Sequence, residues 1–319
     1  MRLFAIGLCA FLACSAVLAA EQPYPSKPIR FIVAYPPGGT SDILARLIGT
    51  KLTESWRQQV IVDNRAGASG NIAAELTARA APDGYTLMLT DIGNLVISSV
   101  VFQKLPFDIL RDFVPITTVS YSPHLLLTHP ALLVKTTEEL ITYARARPGK
   151  LNFPTSLGGA PHMAGIAFAQ RTGINWVYVP TKGGTQSIQA VLSGDGDVFL
   201  LGILQTLPHV NSGKLKLIAV SSEQRLANLA KVPTVSETLP GFVTGSWQGI
   251  LGPARMPPQI LQKLNAEIAR ILKLSDVSDV LTSQGTTPIA NSSSETHRWF
   301  ADERMRWAKV VRESGFRLD

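Results

Sequence analysis

The chain has 319 residues, is 45% hydrophobic, carries a formal charge of +7 and contains 2 cysteines. Both cysteines, Cys9 and Cys14, lie in an apolar N-terminal stretch, so thiol catalysis, thiolate metal sites and iron–sulfur clusters are excluded from the remainder. The basic residues are scattered and no Lys/Arg block is interleaved with aromatics, which excludes nucleic acid as a partner, whereas a diffuse positive field suits anionic solutes.

Met1-Arg2 is a short positive start, Leu3 to Leu18 is apolar but short for a bilayer, and small residues at Ala19 and Ala20 precede Glu21. This reads as a secretory signal peptide over residues 1–20, cleaved near residue 19 or 20. An uncleaved anchor is the alternative, and Phe11 to Cys14 only loosely resembles a lipidation site. An exported chain without disulfides is held by its core alone, and this one is long enough for two lobes.

Ile29 to Tyr35 is an almost continuous apolar run, as for a strand covered on both faces. Pro36-Pro37-Gly38-Gly39 breaks it, Thr40-Ser41-Asp42 supplies capping chemistry, and Ile43, Leu44, Leu47, Ile48 and Leu52 follow at helical spacing. Val60 to Val62 is a short strand, Asn71 to Ala80 a helix and Tyr85 to Leu89 a strand. This β-α-β-α-β order implies parallel strands with right-handed crossovers. A second set starts past Pro115. Leu125 to Leu127 is apolar, Glu138 to Ala146 helical, Leu151 to Phe153 a strand, Met163 to Gln170 helical and Trp176 to Val179 a strand. Gln186 to Leu192 is helical, and Val198 to Leu201 and Leu215 to Val220 are strands. Trp247 to Leu251 is apolar, Pro258 to Leu272 is a long amphipathic helix, and Ser294 to Ser314 is helical. No linker marks where the lobes join, as expected if the chain crosses between them more than once.

Three strand-to-helix junctions carry chemistry. In Pro36 to Asp42, two glycines let the backbone approach a ligand, and the helix start behind them suits a carboxylate or phosphate. A substitution at Gly39 is expected to meet both the ligand and a positive φ. Thr155, Ser156, Gly158, Gly159 and Ala160 repeat the design before a second helix. Thr181, Lys182 and Gly183 form a third junction, with Lys182 offering a charge. Each is equally readable as a capping turn, and Lys182 as a solvated surface residue. Asp197 either accepts from a ligand amine or starts a strand. No nucleotide loop, no metal-ligand cluster and no nucleophile elbow occurs; His162 near Thr155 and Ser156 is the one pair that suggests a hydrolase, without an orienting acid.

The chain resembles the substrate-binding receptors of tripartite tricarboxylate transporters, the Bug family. The matching stretches include Tyr24 to Arg30, Pro36 to Asp42, Val62 to Ala68, Ala78 to Leu87, Pro148 to Leu151, Lys182 to Gly184, Ser212 to Leu215 and Val232 to Glu237. The resemblance implies a type II periplasmic binding protein fold, an α/β architecture whose two lobes flank a central ligand cleft, and a receptor without cofactor that is not an enzyme. It places Pro37, Gly38, Gly39, Thr40 and Asp42 in the first lobe's ligand loop. Thr155 to Ala160 fall in the second, with Thr181 to Gly183 alongside. Residues 21–121 with 242–319 are expected to form lobe 1 and 122–241 lobe 2. The expected partners are a small carboxylate and the permease subunits of a transporter, or a membrane sensor, in the periplasm. Three positions depart from the family pattern: Gly159 replaces a hydroxyl residue, Ser156 a glycine and Thr181 a tyrosine.

Overall fold

The computed structural model describes residues 24–318. The segment read as a signal peptide, with its alternatives, lies outside the described residues.

The elements run β1 (Ile29–Val33), α1 (Thr40–Trp56), β2 (Val60–Asn64), α2 (Asn71–Ala78), β3 (Thr86–Asp91), α3 (Ile92–Val101) and β4 (Phe113–Thr128). They continue as α4 (Thr137–Arg145), β5 (Asn152–Thr155), α5 (Ala160–Thr172), β6 (Val177–Pro180), α6 (Gly184–Ser193), β7 (Val198–Gly202), α7 (Ile203–Asn211) and β8 (Lys216–Val220). The last part is α8 (Val235–Thr238), β9 (Gly245–Pro253), α9 (Pro258–Leu272), α10 (Ser275–Ser283), β10 (Thr287–Pro288) and α11 (Ser293–Ser314).

The apolar run of β1 occupies the centre of the first sheet, parallel to both β2 and β3. Helices cover both faces, which is why no polar alternation is visible in it. Phe31 packs with Leu44, Ile48 and Leu52 of α1 and with Leu264, Ile268 and Ile271 of α9. Ile32, pointing the other way, packs with Ala73 and Ala74 of α2, Val96 of α3 and Phe300 of α11. A second core joins Leu125 to Leu127 with Phe153, Phe168, Trp176, Phe199 and Phe242. These two bodies are the lobes.

One strand belongs to both. The first part of β4 pairs antiparallel with β9, from Phe113↔Pro253 to Pro123↔Gly245. Its second part pairs with β7 on one side and β8 on the other, starting at His124↔Gly202 and Leu125↔Val220. Pro115, expected to separate two sets of elements, lies inside β4. It lies where the register against β9 shifts, between Pro115 and Thr117, the kind of irregularity at which a strand tolerates proline. The helices α3, α7, α8 and α10 have no counterpart in the sequence reading. α3 is buried almost all round, so it shows no amphipathic stripe.

Carboxyl ends of β3, β5, β6 and β7 and the residues just past β1 face one crevice between the lobes, where open α/β sheets bind ligands.

Candidate functional site

Four helices start at this crevice with glycine as N-cap and no side-chain cap: α1 behind Gly39, α5 behind Gly159, α6 behind Gly183 and α7 behind Gly202. Of the other helices, α4, α8 and α11 have hydroxyl caps, Thr136, Thr234 and Ser292, while α2 starts behind Gly70 and α9 and α10 behind Pro257 and Leu274 without a side-chain cap. Uncapped first-turn amides have no partner within their helix and carry the positive end of its dipole.

Between the four glycine-capped starts lies a cavity of about 50 Å³ that opens to solvent. The first lobe contributes Tyr35, Pro36, Gly39, Thr40, Ser41, Asp91, Asn94, Ser246 and Gln248. The second contributes Thr155, Ser156, Pro161, Gly183, Gly184, Thr185, Ser187, Leu201, Gly202 and Gln205. Three buried atoms of this wall have no hydrogen-bond partner: Thr40 Oγ1, Thr155 Oγ1 and Gln205 Oε1. Buried polar groups are normally satisfied, so three orphans on one cavity mark places where a guest supplies the missing bonds.

A chain of hydrogen bonds runs along the first lobe's wall. Ser41 Oγ donates to Gln248 Oε1 (2.6 Å), Gln248 Nε2 to Ser246 Oγ (2.8 Å), and Ser246 Oγ to Asp91 Oδ2 (2.5 Å). Asp91 Oδ1 also accepts from the Asn94 amide (3.2 Å), capping α3. Burial raises the Asp91 pKa to about 6 and pushes the Tyr35 phenol above its usual range. Contacts cross the crevice as well. Asn94 Oδ1 accepts from the Ala160 amide, Thr185 Oγ1 donates to the Pro37 carbonyl (3.2 Å), and Ser69 meets Ser156 Oγ (3.3 Å) and the Leu157 carbonyl.

Of the residues singled out from sequence, Gly39, Thr40, Thr155, Ser156 and Gly183 line the cavity. Others shape the loops behind it. Gly38, not Gly39, has the left-handed backbone (φ 79°); Gly39 is extended at φ −77°. The Asp42 carboxylate accepts from the Gly38 amide, Arg46 and Asn64. Burial alone would raise its pKa, but those bonds outweigh it and hold the group below the usual range. Gly158 (φ 77°) donates its amide to His162 Nδ1, and Thr181 Oγ1 bonds the Gly183 carbonyl and Ser187 Oγ. Pro37, Gly159 and Ala160 take part through backbone atoms alone. Lys182 is exposed and outside the cavity wall. Asp197 is also outside it; its carboxylate accepts the Asn152 amide at 2.7 Å, which ties β5 to the start of β7. His162 is packed edge-on against Tyr178 and Phe316, and burial lowers its pKa to about 4. Its Nδ1 serves Gly158, not the hydroxyl of Thr155 or Ser156.

Sequence reasoning missed Tyr35, Asp91, Asn94, Gly202, Gln205, Ser246 and Gln248. Gly202 stands, like Gly39, Gly159 and Gly183, between a strand and a helix, but without the proline and hydroxyl residues that drew attention to the others. Asp91 was hidden because β3 was read as ending at Leu89.

Two α/β lobes sharing a strand, closed on a cavity walled by helix N-termini, define a two-lobe solute-binding receptor of the periplasmic binding protein class. The chain belongs to the tripartite tricarboxylate transporter family receptors, whose sequence profile matches residues 44–316. This is a family of substrate-binding receptors, not of enzymes. Protein BugT of Bordetella pertussis is 35% identical over 97% of this chain and 96% of its own length. Among solved structures, R. palustris Rpa4515 with adipate superimposes with a TM-score of 0.89 at 31% identity, over 92% of this chain and 99% of that one. MatC from Rhodopseudomonas palustris with bound malate gives a TM-score of 0.86 at 29% identity, over 90% and 100%.

Proposed function

We propose that this chain is a periplasmic receptor that captures a small carboxylate and delivers it to the membrane permease of a tripartite tricarboxylate-type transporter. The observation that carries this reading is the convergence of four glycine-capped helix N-termini on one cavity. An anion at such an end gains about 0.3–1 kcal/mol, and up to ~2 kcal/mol when partly buried. Gly39, Thr40, Thr155, Ser156 and Gly183 are the proposed ligand contacts. Pro37, Gly38, Asp42, Gly158, Gly159, Ala160, Thr181, Lys182 and Asp197 are then supports of the loops or their surroundings. Lobe 1 is proposed as residues 21–121 with 242–319 and lobe 2 as 122–241, with β4 and the approach to β9 as the two crossings. Adipate and malate, the ligands seen in two relatives, are the natural first members of a test panel.

A thermal-shift panel of organic acids tests the reading. A ligand at a hundredfold excess over its Kd stabilises by about 2.7 kcal/mol. Stabilisation by at least one mono- or dicarboxylate is expected; stabilisation by sugars or metal ions alone overturns it.

A further inference from the structure

We propose that Asp91 is a specificity-determining residue that takes a protonated amine of the cargo, so that this receptor selects an amino carboxylate over a plain organic acid. The proposal rests on the carboxylate-receptor reading and narrows its ligand class.

Asp91 is 5% exposed and lies on the cavity wall, which holds no Lys, Arg or His among the described residues. Its hydrogen-bond partners are all neutral, the Ser246 hydroxyl and the main-chain amides of Asn94, Gly93 and Trp247, so no cation balances its charge. Capping α3 does not by itself call for a charge, since threonine and serine cap α4, α8 and α11. What the carboxylate adds is a direction. Because Ser246 gives its proton to Asp91, its oxygen accepts from Gln248 Nε2, which leaves Gln248 Oε1 to accept the Ser41 proton. Ser41 Oγ, its proton spent, has only lone pairs left for the cavity.

Donors and acceptors therefore both line the cavity. The helix starts present N–H groups, which suit a ligand carboxylate. Asp91, Ser41 Oγ and the orphaned Gln205 Oε1 present acceptors, which a second carboxylate cannot satisfy and an ammonium with three N–H donors can. The two walls are close. A β-carbon placed on Gly202 would lie 3.4 Å from Thr40 Oγ1 and 3.9 Å from both Gln205 Nε2 and the Ser246 β-carbon. A plain dianion in this space sets like charges together and drives a proton onto Asp91; an ammonium leaves Asp91 ionised.

The test is titration calorimetry at pH 7 on matched pairs, glutarate with glutamate, adipate with 2-aminoadipate and butyrate with 2-aminobutyrate. In the wild-type protein the amino member of at least one pair is expected to bind at least tenfold more tightly, and in Asp91→Asn that ratio collapses to within about threefold. Repeating the wild-type titrations in buffers of different ionisation enthalpy needs no variant: proton uptake is expected with a plain dicarboxylate and none with its amino analogue. Plain acids binding as tightly as amino acids without proton uptake, or an unchanged ratio in folded Asp91→Asn, overturns the proposal while leaving the receptor reading intact. Failure of every carboxylate in the wider panel overturns both.

Discussion

His124 and Thr244 are bonded twice, the His124 amide to the Thr244 carbonyl and His124 Nδ1 to Thr244 Oγ1, both at 3.1 Å. They sit where β4 passes from one lobe to the other and where the chain returns toward β9. Ser221 completes the knot by donating to the carbonyls of both residues at 2.8 Å. Thr244→Val removes the side-chain bonds to His124 and Ser221 at nearly constant volume. It is expected to lower unfolding stability by about 1–3 kcal/mol, because two buried partners lose a bond. Urea denaturation checks this, and an unchanged midpoint would show that the hinge does not depend on the pair.

The same histidine gives a pH signature. Burial lowers the His124 pKa to about 3, whereas an unfolded histidine titrates near 6.5. The unfolded chain therefore binds the proton first, so this contribution to stability is complete above pH 6.5 and is lost as the pH falls toward 3. At pH 4.5 the loss is about 2 × 1.36 ≈ 2.7 kcal/mol. His124→Gln is expected to flatten the profile of stability against pH by roughly that amount. It leaves the smaller contribution of His162, which has the same sign.

Asp91 acts in the opposite direction. Its folded pKa of about 6 exceeds the ordinary 3.8, so the folded protein binds the extra proton between those values and stability falls as pH rises through the window. The difference in ΔG between wild type and Asp91→Asn should change by up to about 3 kcal/mol between pH 3.5 and pH 7. Chemical denaturation of the ligand-free proteins at the two pH values measures it, and a constant difference would contradict it.

The orphaned hydroxyls predict a trade between folding and binding. Thr155→Val replaces a buried unpartnered oxygen by a methyl group of similar size. The ligand-free protein is expected to gain about 1 kcal/mol, since an unsatisfied buried group is removed, while affinity for the cargo falls about tenfold. Thermal denaturation and calorimetry on one preparation read both, and a gain in both would remove Thr155 from the contact set.

Gly39 and Lys182 separate backbone from side-chain anchoring. A β-carbon on Gly39 would lie 3.4 Å from the Pro36 carbonyl, 3.7 Å from Gln205 Oε1 and 3.8 Å from Thr185 Oγ1, and its backbone suits any residue. Gly39→Val is therefore expected to fold but to fill the cavity mouth and weaken binding at least tenfold. Lys182→Ala should stay within twofold of wild type, because Lys182 is exposed and off the cavity wall. Calorimetry on both variants decides between them; the reverse ranking would move the anchor to the second lobe's charge.

How far the sequence carried depended on what each residue must signal locally. α9 was legible to its ends, since Pro258 opens it and an apolar stripe on Leu264, Ile268 and Ile271 runs through it. The glycine-rich junctions were legible as anion sites because glycine and hydroxyl residues cluster there for local reasons. α3 was not, because a helix buried on every side loses its period. Asp91, Ser246 and Gln248 were not either. Their meaning comes from hydrogen bonds between elements 155 residues apart in the case of Asp91 and Ser246, and no local pattern encodes such a pairing.

The glycine-capped helix starts divide the site into a part that mutation can hardly reach and a part it can rewrite freely. Main-chain N–H groups are identical whatever residues carry them, so the grip on a carboxylate survives changes at most surrounding positions. Choice among carboxylates then falls to a few wall side chains, such as residues 91, 155 and 205. A gene duplicate of this receptor starts with its anchor already in place, and one or two substitutions on the wall are enough to send it after a different nutrient.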